Sequence, residues 1–287
     1  MGAQIGCEYA LGGHEVTLVA RDVGQLERRV ADAVELVETY EIAAAAAIDV
    51  ARRNIVCVGS LDGDVLGCDL AVESLPEDME LKTRLLRAVA SASPDAVLAS
   101  NTSSIPISAL GEAVGAPERV VGTHYLNPPL LMPPVELVAG SGTDPALVSR
   151  LRETLLALGK LPIVVRRDVP GFIWNRLQFA LVRECVWLIE NGVASAEDVD
   201  TVVRDGLARR WRHVGPMRAI TLGGVDTWNR AGRNIVPELS TVTALPDLAE
   251  VAITGGSPER DTAARDEALA RELRNAHQPE REGRDDE

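Results

Sequence analysis

Short runs rich in Val, Ile and Leu alternate with longer stretches of helical period through the first half of the chain. EVTLVA (15–20), IVCVG (55–59), LAVES (70–74), AVLAS (96–100), RVVGTHYL (119–126) and PVELVAG (134–140) read as strands. Residues 23–37, MELKTRLLRAVASA (79–92) and ALVSRLRETLLALG (146–159) place apolar side chains three and four apart, as a one-sided helix requires, with Gly159 closing the last. This alternation predicts an α/β fold, a parallel sheet with helices on its faces. After PIVVRRDVPGF (162–172) the period changes, and from Ile173 nearly everything reads as helix. The predicted organisation is a sheet domain over 1–167, a helical domain over 168–256 and a charged tail over 257–287. The tail carries ten acidic residues against six arginines and no aromatic residue. It reads as a charged surface helix over 259–275, with disorder beyond His277.

Composition narrows the class. At 287 residues, 46% hydrophobic and 25% charged, the chain has ample core for two medium domains. The net charge of −14 repels phosphate backbones and anionic lipid, which argues against a nucleic-acid or membrane-surface partner. An anionic metabolite remains compatible, since local cations can line a pocket. Cys7, Cys57, Cys68 and Cys185 are scattered, with no CxxC pair and no His at ligand spacing. Neither a metal site nor a disulfide framework is expected. With no apolar run of spanning length and no basic-then-apolar leader, the chain reads as soluble and cytoplasmic.

The chemistry-bearing residues concentrate between positions 100 and 136. Ser100-Asn101-Thr102-Ser103-Ser104 is followed by Gly122-Thr123-His124-Tyr125-Leu126-Asn127-Pro128 and then Val135-Glu136. His124 ends one strand, and Glu136 lies in the next. Adjacent strand ends can bring an imidazole and a carboxylate within hydrogen-bond reach. The carboxylate then fixes the ring tautomer and leaves the other nitrogen to take a proton. A structural histidine is the alternative, as is a turn-forming role for Ser103 and for Asn127.

In order and spacing, SNTSS, GTHYLNP, VELV, VESLPEDMELK and DVPGFIWNRL resemble the 3-hydroxyacyl-CoA dehydrogenase family over roughly residues 1–240. The resemblance implies a Rossmann-like dinucleotide-binding domain and a helical domain through which two copies dimerise. It implies His124 as the general base, Glu136 as its orienting partner, Ser103 and Asn127 as donors to the substrate oxygen, and Asn175 as a further substrate residue. It implies NAD as cofactor, with Gly2, Asn101, Glu77 and Lys82 on the cofactor side. An E…K pair at helical spacing also reads as surface decoration.

The sequence departs from the family at its opening, at the second-strand acid and at its closing segment, and it carries a cluster of arginines besides. The chain opens on a helix at Met1-Gly2, so the first strand and its glycine turn are expected ahead of Met1. The usual acid at the end of the second strand is Ala20, followed by Arg21 and Asp22, which brings in NADP as an alternative, while Asp22 could serve the ribose. Arg209, Arg210, Arg212 and Arg218 gather positive charge suited to a carboxylate or a CoA phosphate. Thr254-Gly255-Gly256 stands where a glycine-aromatic run is expected. The predicted reaction interconverts a 3-hydroxy and a 3-oxo group, on a short 3-hydroxyacyl-CoA such as 3-hydroxybutyryl-CoA. The alternatives are a small free β-hydroxy acid, gulonate- or carnitine-like, or a non-catalytic member without cofactor binding.

Overall fold

The computed structural model describes residues 1–61, 67–251 and 257–277. Thr254-Gly255-Gly256 and the residues beyond His277 lie outside them. The chain divides into a first unit, Met1–Ile173 together with the stretch from Pro258, and a second unit, Trp174–Ser257. The division falls at Ile173 rather than at 167 because the segment between remains bonded to the sheet domain: Asp168 accepts from the Ser108 N–H, and the Ile173 N–H donates to Glu136.

The first unit runs α1 (Gly2–Leu11), β1 (Val16–Val19), α2 (Val23–Thr39), α3 (Ala45–Asn54), β2 (Ile55–Val58), β3 (Leu70–Glu73), α4 (Met79–Ala92), β4 (Val97–Ser100), α5 (Ile107–Val114), β5 (Val120–Tyr125), β6 (Pro134–Ala139), α6 (Pro145–Ala157) and β7 (Leu161–Val165). Aspartates start three of the helices. Asp22, Asp78 and Asp144 each accept a backbone N–H from the first turn of α2, α4 and α6. The apolar faces then meet the strands in a core that includes Leu86, Leu98, Ile107, Leu110, Val120 and Val138.

The strands differ from a single parallel sheet in two ways. They form a two-stranded sheet, β1-β2, and a five-stranded sheet ordered β3-β4-β5-β6-β7. Among the described residues β1 pairs only with β2, and β3 only with β4. Helix α1 packs across both sheets. Ile5 and Tyr9 cluster with Val16 of β1, Leu70 and Val72 of β3, and Val121 of β5. In addition, β5 and β6 are antiparallel, while every other neighbouring pair is parallel. The connection over 126–133 contains no helix, and a parallel return needs a crossover of about a dozen residues or more.

The second unit contains α7 (Trp174–Glu190), α8 (Ala196–Thr201), α9 (Arg209–Gly223), α10 (Val225–Ile235) and the short α11 (Leu248–Val251). Residues 202–208 form wider π-type turns between α8 and α9, and α9 breaks at Gly215-Pro216. The unit is apolar but poorly covered. Leu177 is 63% exposed, Met217 74% and Leu222 66%, and of α7 only Val186 is buried. No helix among the described residues is long and apolar enough to cross a membrane.

The charged tail helix, α12 (Pro258–His277), is not a free surface element. It returns to the first unit, where the Tyr40 hydroxyl donates to the Ala263 carbonyl (3.5 Å), Arg274 donates to the Tyr40 carbonyl, and Ala270 is fully buried.

One buried ion pair ties α1 to the loop after β5. Lys160 Nζ lies 2.6 Å from Glu8 Oε1 with both side chains over nine-tenths buried, and it also donates to the carbonyls of Pro129 (2.6 Å) and Met132 (3.3 Å). Lys160→Met should therefore cost about 3–5 kcal/mol, because Glu8 would be left charged and unpaired in the core. Urea unfolding measures this directly. A loss below about 1 kcal/mol would mean that Glu8 finds water or another partner.

Candidate active site

The centre of the site follows from the antiparallel register of β5 and β6. His124 and Glu136 are direct cross-strand partners, so their side chains leave the same face of the sheet side by side. His124 Nδ1 lies 2.6 Å from Glu136 Oε2, and the two side chains are 6% and 3% exposed. With Nδ1–H donating to the carboxylate, Nε2 keeps its lone pair. The second carboxylate oxygen, Oε1, accepts the Ile173 N–H at 2.8 Å. The Phe172 ring stands against the imidazole, with centroids 5.6 Å apart at 62°.

A second polar cluster builds the turn after β4. Glu73, at the end of β3, is buried and accepts from Lys82 Nζ (2.9 and 3.1 Å), from the Ser100 hydroxyl (2.7 Å) and from the Leu75 N–H. Lys82 is fully buried, donates also to the Leu75 carbonyl (2.9 Å), and lies 3.4 Å from Glu77. Glu77 accepts from the Thr102 hydroxyl (2.8 and 2.9 Å) and from the backbone N–H groups of Ser103 (2.5 Å) and Ser104 (3.1 Å). Burial alone would raise the Glu77 carboxyl. The bonds from Ser103 and Thr102, with the Lys82 ammonium, outweigh it and hold the group below its ordinary range.

Asn101 joins the two clusters. Its side-chain carbonyl accepts the Tyr125 N–H (2.9 Å), and its own N–H donates to the Glu73 carbonyl (2.8 Å). The sheet thus brings together His124, Glu136, Asn101, Ser103, Glu77 and Lys82. Lys82 reaches the turn only through Glu77, since none of its surface is exposed. Asn127 is exposed just past β5. Gly2 begins α1 beside Ser74, at the carboxyl end of β3. Arg21 and Asp22 are exposed past β1, where one Asp22 oxygen caps α2 on the Gln25 N–H (2.8 Å). Asn175 lies half-buried in the first turn of α7, in the helical unit.

Sequence reasoning did not single out Glu73, nor the contacts of Phe172 and Ile173 with the dyad. The LAVES and DVPGF runs contain these residues, yet a buried carboxylate and a backbone donor carry no spacing signal. Among the described residues no group of three or more His, Cys, Asp or Glu is placed to hold a metal ion, and all four cysteines are free.

The amino end of α1 fits an anionic cofactor. No side chain caps the helix, and Gly2 lies beside Ser74 at the carboxyl end of β3, the edge at which a helix amino end meets a phosphate. A helix amino end at the carboxyl edge of a largely parallel sheet is the arrangement of dinucleotide-binding folds. Residues 1–169 match "3-hydroxyacyl-CoA dehydrogenase, NAD binding domain", and residues 171–264 match "3-hydroxyacyl-CoA dehydrogenase, C-terminal domain". The chain belongs to the 3-hydroxyacyl-CoA dehydrogenase family, and its first unit is an NAD-binding domain.

Among relatives, the chain is 36% identical over 243 residues to 5-formyl-3-hydroxy-2-methylpyridine 4-carboxylate 5-dehydrogenase of Mesorhizobium japonicum, covering 84% of this chain and 78% of that one. A crystal structure of an enzyme of that activity, described as an NAD+-dependent dismutase, superposes with a TM-score of 0.83 at 30% identity, covering 96% and 94% of the two chains. An L-carnitine dehydrogenase of a Pseudomonas species is 38% identical over 71% of this chain and 63% of its own. A 3-hydroxybutyryl-CoA dehydrogenase of Bradyrhizobium diazoefficiens is 35% identical over 62% and 59%.

If the His124 imidazole takes the proton, His124→Gln should lower NADH-linked turnover by roughly 10²–10⁴-fold, the range of a lost general base. NADH affinity, read by its fluorescence, should stay within about twofold, because that side chain is not expected to bind the dinucleotide. A variant with near-normal turnover would remove His124 from the chemistry.

Proposed function

We propose that the protein is an NAD-dependent dehydrogenase of a small free hydroxy acid, with His124 as the general base. The observation that carries the chemistry is the buried 2.6 Å contact between His124 Nδ1 and Glu136, which commits Nε2 to the substrate hydroxyl. NAD supplies the hydride acceptor when bound. The chain's own residues handle the proton. As the hydroxyl becomes a carbonyl, its hydrogen passes to His124 Nε2, and the positive charge forming on the ring is met by Glu136. Ser103, on a turn held by Glu77, and Asn127 donate to the oxygen as it changes; Asn175, in the helical unit, is a further candidate substrate residue. The Asn101 amide keeps the turn and β5 in register, which serves the dyad and the cofactor side alike. Gly2, with the uncapped first turn of α1, takes the pyrophosphate. Arg21 and Asp22 lie on the adenosine side, with Glu77 toward the nicotinamide ribose; Lys82, expected there from the sequence, is fully buried and acts only by holding Glu73 and Glu77.

The free-acid reading is supported by the similarity to enzymes of a pyridine carboxylate and of L-carnitine, the first extending over most of both chains. The second reading, a short 3-hydroxyacyl-CoA, is favoured by the 3-hydroxybutyryl-CoA dehydrogenase relative. The exposed apolar side chains of the helical unit support a homodimer formed through that unit.

A panel of oxo substrates with NADH tests the choice. 3-Dehydrocarnitine or another small 3-oxo acid should give a kcat/KM at least roughly tenfold above that of acetoacetyl-CoA, the margin one well-placed carboxylate partner supplies. The reverse order would establish the acyl-CoA reading. Inactivity on every member, with NADH bound, would turn the search to aromatic carboxylates.

A further inference from the structure

The segment between β7 and α7 is fastened to the sheet domain at both ends. At one end Asp168 Oδ2 accepts the Ser108 N–H of α5 (2.7 Å), and at the other the Ile173 N–H donates to Glu136 Oε1 (2.8 Å). Between them lies a tight turn closed by the Phe172 N–H on the Val169 carbonyl (3.0 Å). Pro170 precedes Gly171, whose φ of 76° is the value this turn needs from glycine. Phe172 then also takes a positive φ, 48°. Among the described residues only the exposed Glu41 (φ 50°) is another non-glycine residue to do so.

A bulky side chain adopts this conformation only where its surroundings over-determine it. Here they do. Phe172 is 1% exposed and packs into the core with Ile107, Leu110, Val138 and Val165, with its ring against His124.

We propose that Phe172 is a positioning residue for the His124–Glu136 pair. The strained turn performs two tasks within consecutive residues. It sets an aromatic wall beside the imidazole, which removes the space the ring needs to rotate about its Cβ–Cγ bond. It also aims the next N–H at Glu136 Oε1, which fixes the carboxylate plane and directs Oε2 at Nδ1. Together these hold His124 in one rotamer and in the Nδ1–H tautomer, with Nε2 free. The inference rests on the reading of His124 as the base, and its test separates the two.

The chain has four histidines, so the imidazole nitrogens can be resolved by ¹⁵N NMR on the full-length protein, with His124→Gln giving the assignment. The unmodified protein should show His124 as the Nδ1–H tautomer alone. Phe172→Leu keeps an apolar side chain but removes the aromatic wall. It should mix the two tautomers, speed Nδ1 proton exchange roughly tenfold and lower kcat roughly tenfold or more, while NADH binding holds and the thermal midpoint falls only by the few degrees a small core cavity costs. Phe172→Met serves the same comparison if the leucine variant does not fold. An unchanged His124 spectrum overturns the positioning role. A mixed tautomer with unchanged kcat upholds the positioning and overturns instead the assignment of His124 as base.

Discussion

The reversal of chain direction between β5 and β6 is the constraint on which the site depends. Had β6 run parallel to β5, His124 and Glu136 would have stood at opposite ends of their strands. The short connection over 126–133 forbids a crossover, so the strands fold back and pair in register. A register shifted by one residue would send Glu136 to the other face of the sheet, away from the imidazole. Val135, Leu137 and Val138 are fully buried, on both faces of the strand, so a slip would leave the Glu136 carboxylate buried among apolar side chains without its partner. The register of this strand is thus held by the pairing of the buried carboxylate with His124 rather than by an alternating hydrophobic pattern.

Buried charge is placed around that pair with few loose ends. Glu73, Lys82 and Glu136 are all almost fully buried, and each has close polar partners. The chain of contacts from Ser100 through Glu73, Lys82 and Glu77 to the Ser103 N–H converts two carboxylates and one ammonium into a scaffold for the turn after β4. Such a network is stable only when its members are satisfied. The Lys160–Glu8 pair plays a similar part, holding the loop after β5 to α1. The two lysines of this chain are both spent on buried scaffolding, while the surface cations are arginines.

Much of this was legible in the sequence. Strand runs such as AVLAS and RVVGTHYL announced β4 and β5, and apolar side chains three and four apart announced α2, α4 and α6. The motif residues SNTSS, His124 and Glu136 pointed to the dyad before any distance was known. What stayed hidden was pairing information. Nothing local in PVELVAG states that its strand runs antiparallel, and nothing in EVTLVA or LAVES states that the sheet divides between them. The acidic look of the last helix suggested solvent, whereas Tyr40 and the buried Ala270 attach it to the first unit. Glu77 and Lys82 could be read as surface charges because their spacing suits a helix face. Lys82 is instead fully buried because Glu73, bonded to Ser100 of the neighbouring strand, draws its ammonium inward, while Glu77 remains partly exposed.

The central claim is that His124 and Glu136 act as one catalytic unit rather than as two separate contributors. A double-mutant cycle on kcat, comparing His124→Gln, Glu136→Gln and the combination with NADH and the best substrate, tests it most directly. If the carboxylate works only through the imidazole, the double variant should be no slower than His124→Gln alone, within about twofold. Losses that multiply instead would mean that Glu136 contributes independently of His124, and that the dyad is not the base of this enzyme.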